Sequence, residues 1–377
     1  MVLLPPGRSV HRAAALSVFS LILLLAACAG GAASPPANQA AAPQAASAQA
    51  AAPAQAPAVT GAPDATTPPD RIPVKIGYSS LTDNNLGLWV AKEAGLFEEQ
   101  GLELTDFPLI EGGTLTIQAL LGGDTQFVLA GTSGIIVADL GGADLVGVAG
   151  TSNKFDFALL TVPEVHSGAD LRGKRVGISR FGSSSDFAAR SALQYLGLDP
   201  DRDVTILQIG GTAARVGAMQ SGSIEAAPEI APALLTARKL GFNMLVDLAQ
   251  IGVPYQVGPI ATTRTLINEN PELARRVVRG YLAGIHRMKT DKAFSMSVSS
   301  KYMQIDDPEA LSESWEHFAQ GSIPEVPYIT DDGILPVLKE LADSNPAAMS
   351  ATPSQFYDNR FLKEAEDSGF VNRLYGR

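Results

Sequence analysis

Between residues 74 and 248 the chain alternates short apolar runs with segments whose apolar residues recur at helical spacing, and this pattern narrows the fold more than any other feature. Residues 74–78, 102–107 and 126–130 read as strands, and the helices predicted to follow them span 86–96, 114–121 and 133–140. Strand and helix in alternation build a parallel sheet, because a parallel pair needs a crossover long enough to hold a helix. After strands near 145–148 and 157–162 a second series begins, with strands at 175–178, 204–208, 224–227 and 244–248 and helices at 184–196, 212–220 and 231–240. Beyond the Gly252–Gly258 stretch the pattern turns helical, at 271–289, 292–301, 308–318, 332–342 and 361–367, with no new strand expected. Helices without strands suggest that the chain rejoins its first unit. Two α/β lobes with crossings near Thr161 and Tyr255 would leave a cleft faced by strand C-termini and helix N-termini, where open α/β sheets bind ligands.

The first 70 residues belong to a different regime. Arg8 and Arg12, an apolar run over residues 13–25, and then Ala26-Ala27-Cys28 follow the order of a secretory signal. Spanning a bilayer as a helix takes about 20 residues, so the run is too short for a permanent anchor. Leu25-Ala26-Ala27-Cys28 also resembles the bacterial lipobox, in which the thiol receives a diacylglycerol and cleavage falls just before it. The sole Cys of the chain stands at that position, so Cys28 is expected to be lipidated, with ordinary signal cleavage as the alternative. Residues 29–70 hold no aromatic residue and only Asp64 and Asp70 as charges, a composition expected to form a disordered tether. The expected divisions are a signal peptide at 1–27, a lipidated Cys and tether at 28–70, lobe 1 at 71–162, lobe 2 at 163–252, and a return to lobe 1 at 253–377.

The charges of leader and tether cancel, so the net −11 falls on residues 71–377. An acidic globule is a poor nucleic-acid partner. No metal site and no cofactor are expected: His166, His286 and His317 lie outside ligand spacing of one another, and no second Cys exists. A serine hydrolase lacks its elbow, since in Gly177-Ile-Ser-Arg-Phe-Gly182 the second Gly comes one position late. The stretch from Gly168 to Arg175 has P-loop spacing but ends in Arg and precedes a strand, so it reads as a turn.

The strongest local signal is Ser179–Asp186, which follows a strand and opens a helix. Unpaired first-turn amides with hydroxyls beside them suit an anionic or polar group, although Ser183 or Ser184 could equally be a plain helix cap. Similar small, hydroxyl-rich junctions recur at Tyr78-Ser79-Ser80, Ala130-Gly131-Thr132-Ser133 and Gly210-Gly211-Thr212. Most aromatic residues should fill the core, with Tyr78, Trp89 and Phe181 as candidates to wall a ligand. Arg180 could pair an anion or make a surface salt bridge. Glu229 could meet a ligand amine or hydroxyl, or serve as a first-turn acid.

The order of segments over residues 73–370 resembles the substrate-binding proteins of ABC importers for sulfonates, taurine, nitrate and thiamine-precursor pyrimidines. The resemblance is carried by the segments at 88–102 (LWVAKEAGLFEEQGL), 169–178 (ADLRGKRVGI) and 220–227 (QSGSIEAA), with Pro232 and residues 361–365. It implies a two-lobed type 2 periplasmic-binding-protein fold, two Rossmann-like α/β lobes joined by two crossings. Its implied partners are one small solute and a membrane ABC permease, with the protein a monomer on the extracytoplasmic face of a bacterial membrane. The family's ligand turns fall on Tyr78, Ser79 and Ser80, on Thr132 and Ser133, and on Gly182, Ser183 and Ser184. Two alternatives stay open: a sensory module for a membrane partner, and an enzyme akin to the pyrimidine-synthesising enzymes of this scaffold. Those enzymes need a cysteine-rich motif that this chain lacks.

Overall fold

The computed structural model describes residues 71–252, 254–342 and 345–377; the leader, Cys28 and tether expected at 1–70 lie outside the described residues. Its strands, in chain order, are β1 (Ile72–Tyr78), β2 (Leu102–Asp106), β3 (Phe127–Leu129), β4 (Leu145–Ala149), β5 (Ala158–Thr161), β6 (Arg175–Ile178), β7 (Thr205–Gln208), β8 (Ala226–Glu229), β9 (Asn243–Asp247) and β10 (Ile260–Thr263). They form two five-stranded sheets, ordered β2-β1-β3-β10-β4 and β7-β6-β8-β5-β9. Every residue of β3, β4 and β5 is buried, which is why these segments read as continuous apolar runs rather than alternating ones.

The two sheets share one ordering rule: the strand that has just crossed from the other lobe enters at the fourth position, antiparallel to both neighbours. Two expectations change here. The chain crosses to the second sheet between Ala149 and Ala158, earlier than Thr161, because β5 pairs with β8 and β9. It returns through a strand, not only through helices: β10 lies between β3 and β4. A four-residue strand whose first three residues are buried has too short an alternation to be read from sequence.

The helices that position the cleft are α1 (Leu86–Glu93), α2 (Gly113–Leu121), α3 (Thr132–Leu140), α4 (Ser184–Tyr195) and α5 (Thr212–Gln220), followed on the return by α6 (Pro271–Thr290), α7 (Lys292–Met303) and α8 (Pro308–Trp315). Helix α6 starts on an Asn270 cap that accepts from the Leu273 amide, with Pro271 in the first turn. It packs against α1 at backbone distance: a Cβ placed on Gly284 would lie 2.3 Å from the Gly87 carbonyl oxygen. The return helices therefore belong to lobe 1. Where the two crossings run side by side, Phe155 and Tyr255 meet with ring centroids 4.1 Å apart, and Phe187 of α4 stacks on Tyr255 at 4.8 Å. Burial pushes the Tyr255 hydroxyl up to about 12, so this aromatic joint carries no charge at physiological pH.

Candidate functional site

The wall contributed by lobe 1 begins where β1 ends. The Ser79 amide donates to the Leu129 carbonyl at 3.1 Å, and the Ser79 carbonyl accepts from the Gly112 amide at 3.0 Å. Sheet bonding thus continues past the strand and fixes the turn. Four residues on, Asp83–Asn85 form a short 3-10 turn whose side chains are all buried. Asn85 Nδ2 donates to the Ser80 carbonyl at 2.6 Å, tying the turn back onto the Ser79–Ser80 corner. From behind, the Asp83 carboxylate accepts from Ser299 Oγ of α7 at 2.7 Å and from Ser314 Oγ of α8 at 2.6 Å. Burial raises the Asp83 carboxyl to about 6 against the pull of those two hydroxyls.

Lobe 2 contributes a wall of a different kind. Ser179, Ser183 and Ser185 place their hydroxyl oxygens 2.9 Å from one another in a closed triangle at the start of α4. Ser183 is also the cap of α4, its Oγ accepting from the Asp186 amide. Below the triangle, Arg215 and Glu229 form a buried bidentate pair, with both N–H···O distances 2.8 Å. The guanidinium is held further by the carbonyls of Gly210 and Pro228 and by Thr212 Oγ1. Desolvation pushes the Glu229 carboxyl up, while the Arg215 charge opposes the shift.

Between the walls lies a cleft of about 660 Å³ of space between atoms, its open mouth included. The starts of α2, α3, α4 and α5 all line it, through Gly113, Gly131, Ser184 and Thr212. Among the described residues, the amides of Gly113, Ser184 and Thr212 have no acceptor within the protein. First-turn donors and four helix dipoles pointing at one space favour an electronegative group there. Leu129, Phe157, Ile230 and Val257 supply apolar surface. Arg215 is the only ionisable side chain among the described lining residues, and Glu229 neutralises it.

The structure brings Ser79, Ser80, Ser183 and Ser184 together on the cleft. Thr132 and Ser133 sit buried at the start of α3, and Ser133 Oγ donates across the cleft to the Gly182 carbonyl at 3.3 Å. Phe181, half-exposed at the rim, accepts on its carbonyl from Thr114 Oγ1. Arg180 stands at the same rim, its side chain against Gly112. Glu229 lies beneath the lining, with both oxygens taken by Arg215. Tyr78 and Trp89 are placed in the core of lobe 1: Trp89 stacks on Tyr302 at 4.8 Å, and Tyr78 packs edge-on against both rings.

Sequence reasoning passed over Asn84, Asn85 and Arg215. The Asp-Asn-Asn run looks like ordinary turn chemistry. Arg215, one turn into α5, gives no sign that its helix face is buried. Glu229, a lone acid within an apolar run, was the available hint that a buried cation stands nearby.

The sequence profile of the family described as NMT1/THI5 like matches residues 82–292, more than half of the chain. A candidate binding protein of Brucella abortus (strain 2308) is 27% identical over 249 residues, which is 65% of this chain and 76% of that protein. The periplasmic nitrate-binding protein NrtA of Synechocystis PCC 6803 superposes with a TM-score of 0.67 at 13% identity, over 80% of this chain and 90% of that one. The alkanesulfonate-binding protein SsuA of Xanthomonas axonopodis pv. citri, bound to MOPS, gives 0.61 at 19% identity, over 75% and 96%. The two-lobed α/β fold of periplasmic binding proteins, expected from the sequence, is the fold of this chain.

Proposed function

The chain belongs to the NMT1/THI5-like family, and from that premise we propose that it is an extracytoplasmic solute-binding lipoprotein of an ABC importer. It captures a small organic solute between its lobes and hands it, chemically unchanged, to a membrane permease. The observation that carries this reading is the convergence of four helix starts on a single cleft with free first-turn amides, whose one charged side chain among the described lining residues, Arg215, is paired. Such a cleft has donors to hold a guest and nothing to transform it. The serine triangle spends its hydroxyls on one another and on backbone groups, and the neighbouring acid, Asp186, accepts from the Gly182 amide and from Arg190 rather than from a serine hydroxyl. Glu229 cannot serve as a base while both of its oxygens are held by Arg215.

Closure about the Phe155–Tyr255 joint would tie the lobes together over the cargo. The lipobox at Cys28 and the tether behind it would keep the receptor within reach of its permease.

Isothermal titration of the purified protein against organosulfonates, carboxylates, nitrate and small heterocycles tests the proposal, with mass spectrometry of the solute afterwards. One ligand bound at 1:1 stoichiometry and recovered intact is the expected result. A chemically altered solute, or no stoichiometric binding across the panel, would overturn it.

A further inference from the structure

Two observations in lobe 1 bear on what the cleft accepts. Asn85 is fully buried, and its Nδ2 donates to the Ser80 carbonyl at 2.6 Å, which fixes the amide: a flip would set two oxygens against each other. Its Oδ1 is therefore an acceptor, and among the described residues it has no partner; Oδ1 of Asn84, which is 4% exposed, also has none, although no bond fixes that amide and it can present either end to a guest. Both residues line the cleft. Buried oxygens without donors are uncommon in folded proteins and point to a group that arrives from outside.

The second observation concerns charge. Asp83, adjoining Asn84, is fully buried, and among the described residues it has no Lys, Arg or His in ion-pair contact. Its oxygens are met only by the hydroxyls of Ser299 and Ser314. With its carboxyl near 6, it is ionised at pH 8 and sets a negative field behind the two asparagines. Opposite, the lobe 2 wall offers the free amides of Ser184 and Thr212 and the α4 and α5 dipoles, and lobe 1 adds the free Gly113 amide at the start of α2 beside the asparagines.

From this opposition, and resting on the solute-capture reading above, we infer that the cargo is dipolar. One end carries N–H donors, as an ammonium or amino group, and meets Asn84 and Asn85. The other end is an anionic or carbonyl acceptor held by the helix starts of lobe 2. A bare inorganic anion has acceptors only. It would leave the Asn85 Oδ1 unmet and would lie in the field of Asp83.

Matched probes test the inference by titration calorimetry at pH 8: taurine against ethanesulfonate, β-alanine against propanoate, and 4-aminopyrimidine against pyrimidine. In every pair that binds, the donor-bearing member should bind at least about tenfold more tightly, as expected for a buried acceptor gaining its donor. In Asn85→Leu that preference should shrink to about threefold or less. Asn84→Leu, whose Oδ1 has no partner to lose, gives the same readout should Asn85→Leu fail to fold. Equal binding within the pairs, or an unchanged preference in a folded variant, would overturn the inference and leave solute capture standing. Binding by no probe would count against solute capture itself and remove the inference with it.

Discussion

Replacing Glu229 by Leu should destabilise the protein far more than replacing Glu229 and Arg215 together. The side chains of Arg215 and Glu229 are 5% and 0% exposed, so solvent screens their charges very little. Two 2.8 Å bonds join them. Without the carboxylate, the guanidinium keeps two carbonyls and the Thr212 hydroxyl, but its charge stays buried and uncompensated. Breaking such a pair from one side costs about 3–5 kcal/mol, whereas exchanging both partners for apolar groups of similar volume is often close to neutral. Urea unfolding followed by far-UV circular dichroism measures the difference. With a slope of about 3 kcal/mol per molar, at the upper end for single domains, the midpoint of Glu229→Leu should fall by about 1–1.7 M. The midpoint of Arg215→Met/Glu229→Leu should lie within about 0.5 M of the parent. A single variant that loses under about 1 kcal/mol, or a double variant no better than the single, would refute the argument that this pair sits in a dry wall of lobe 2.

Asp83 should make stability depend on pH in a direction opposite to that of a salt-bridged acid. Burial raises its carboxyl from 3.8 to about 6, so the folded state holds this proton more tightly; the stabilisation is complete below pH 3.8 and is lost as pH rises through 6, about 3 kcal/mol in all. Urea unfolding of Asp83→Asn and its parent at pH 4 and pH 8 should therefore show their difference shifting in the variant's favour by about 2 kcal/mol, the part of the effect still present at pH 4, and a difference independent of pH would contradict the assignment. Gly131→Ala should weaken cargo binding by at least about tenfold, because a Cβ there would lie 2.2 Å from Ser184 Oγ of the other lobe and hold the lobes apart. Small-angle scattering of cargo-saturated protein should give a larger radius for that variant, and unchanged affinity and radius would show that the two lobes do not close along this edge.

The alternation of strand and helix was legible because it is local: each run carries its own periodicity, and the segments at 175–178 and 212–220 appear with the bounds expected. What escaped was set by distant partners. β10 is a strand only because β3 and β4 leave a gap between them. Trp89 looked like a wall for a ligand and instead stacks on Tyr302, more than 200 residues later, which no local pattern announces. The hydroxyl-rich turn at Ser183–Ser184 was visible because a helix start must satisfy its amides within a few residues. Asn84 and Asn85 were not, because a turn rich in Asp and Asn has the same composition whether it faces water or a cleft.

The two walls of the cleft are built on different length scales, and this has consequences for how they hold a guest. The lobe 2 wall is nearly self-sufficient: its serine triangle spans residues 179–185, and Arg215 and Glu229 stand fourteen residues apart. The lobe 1 wall is not. Its asparagines are shaped by a turn whose acid is gripped by α7 and α8, over 200 residues downstream. The return helices, none of whose described residues lines the cleft, therefore determine where Asn84 and Asn85 stand. Lobe 2 can present its donors as soon as its own sheet is formed, whereas lobe 1 is complete only after the chain has returned through β10 and docked α7 and α8. On the solute-capture proposal, selectivity that depends on Asn84 and Asn85 is thus a property of the whole lobe, and the return segment is as much a part of the proposed site as the turn it holds.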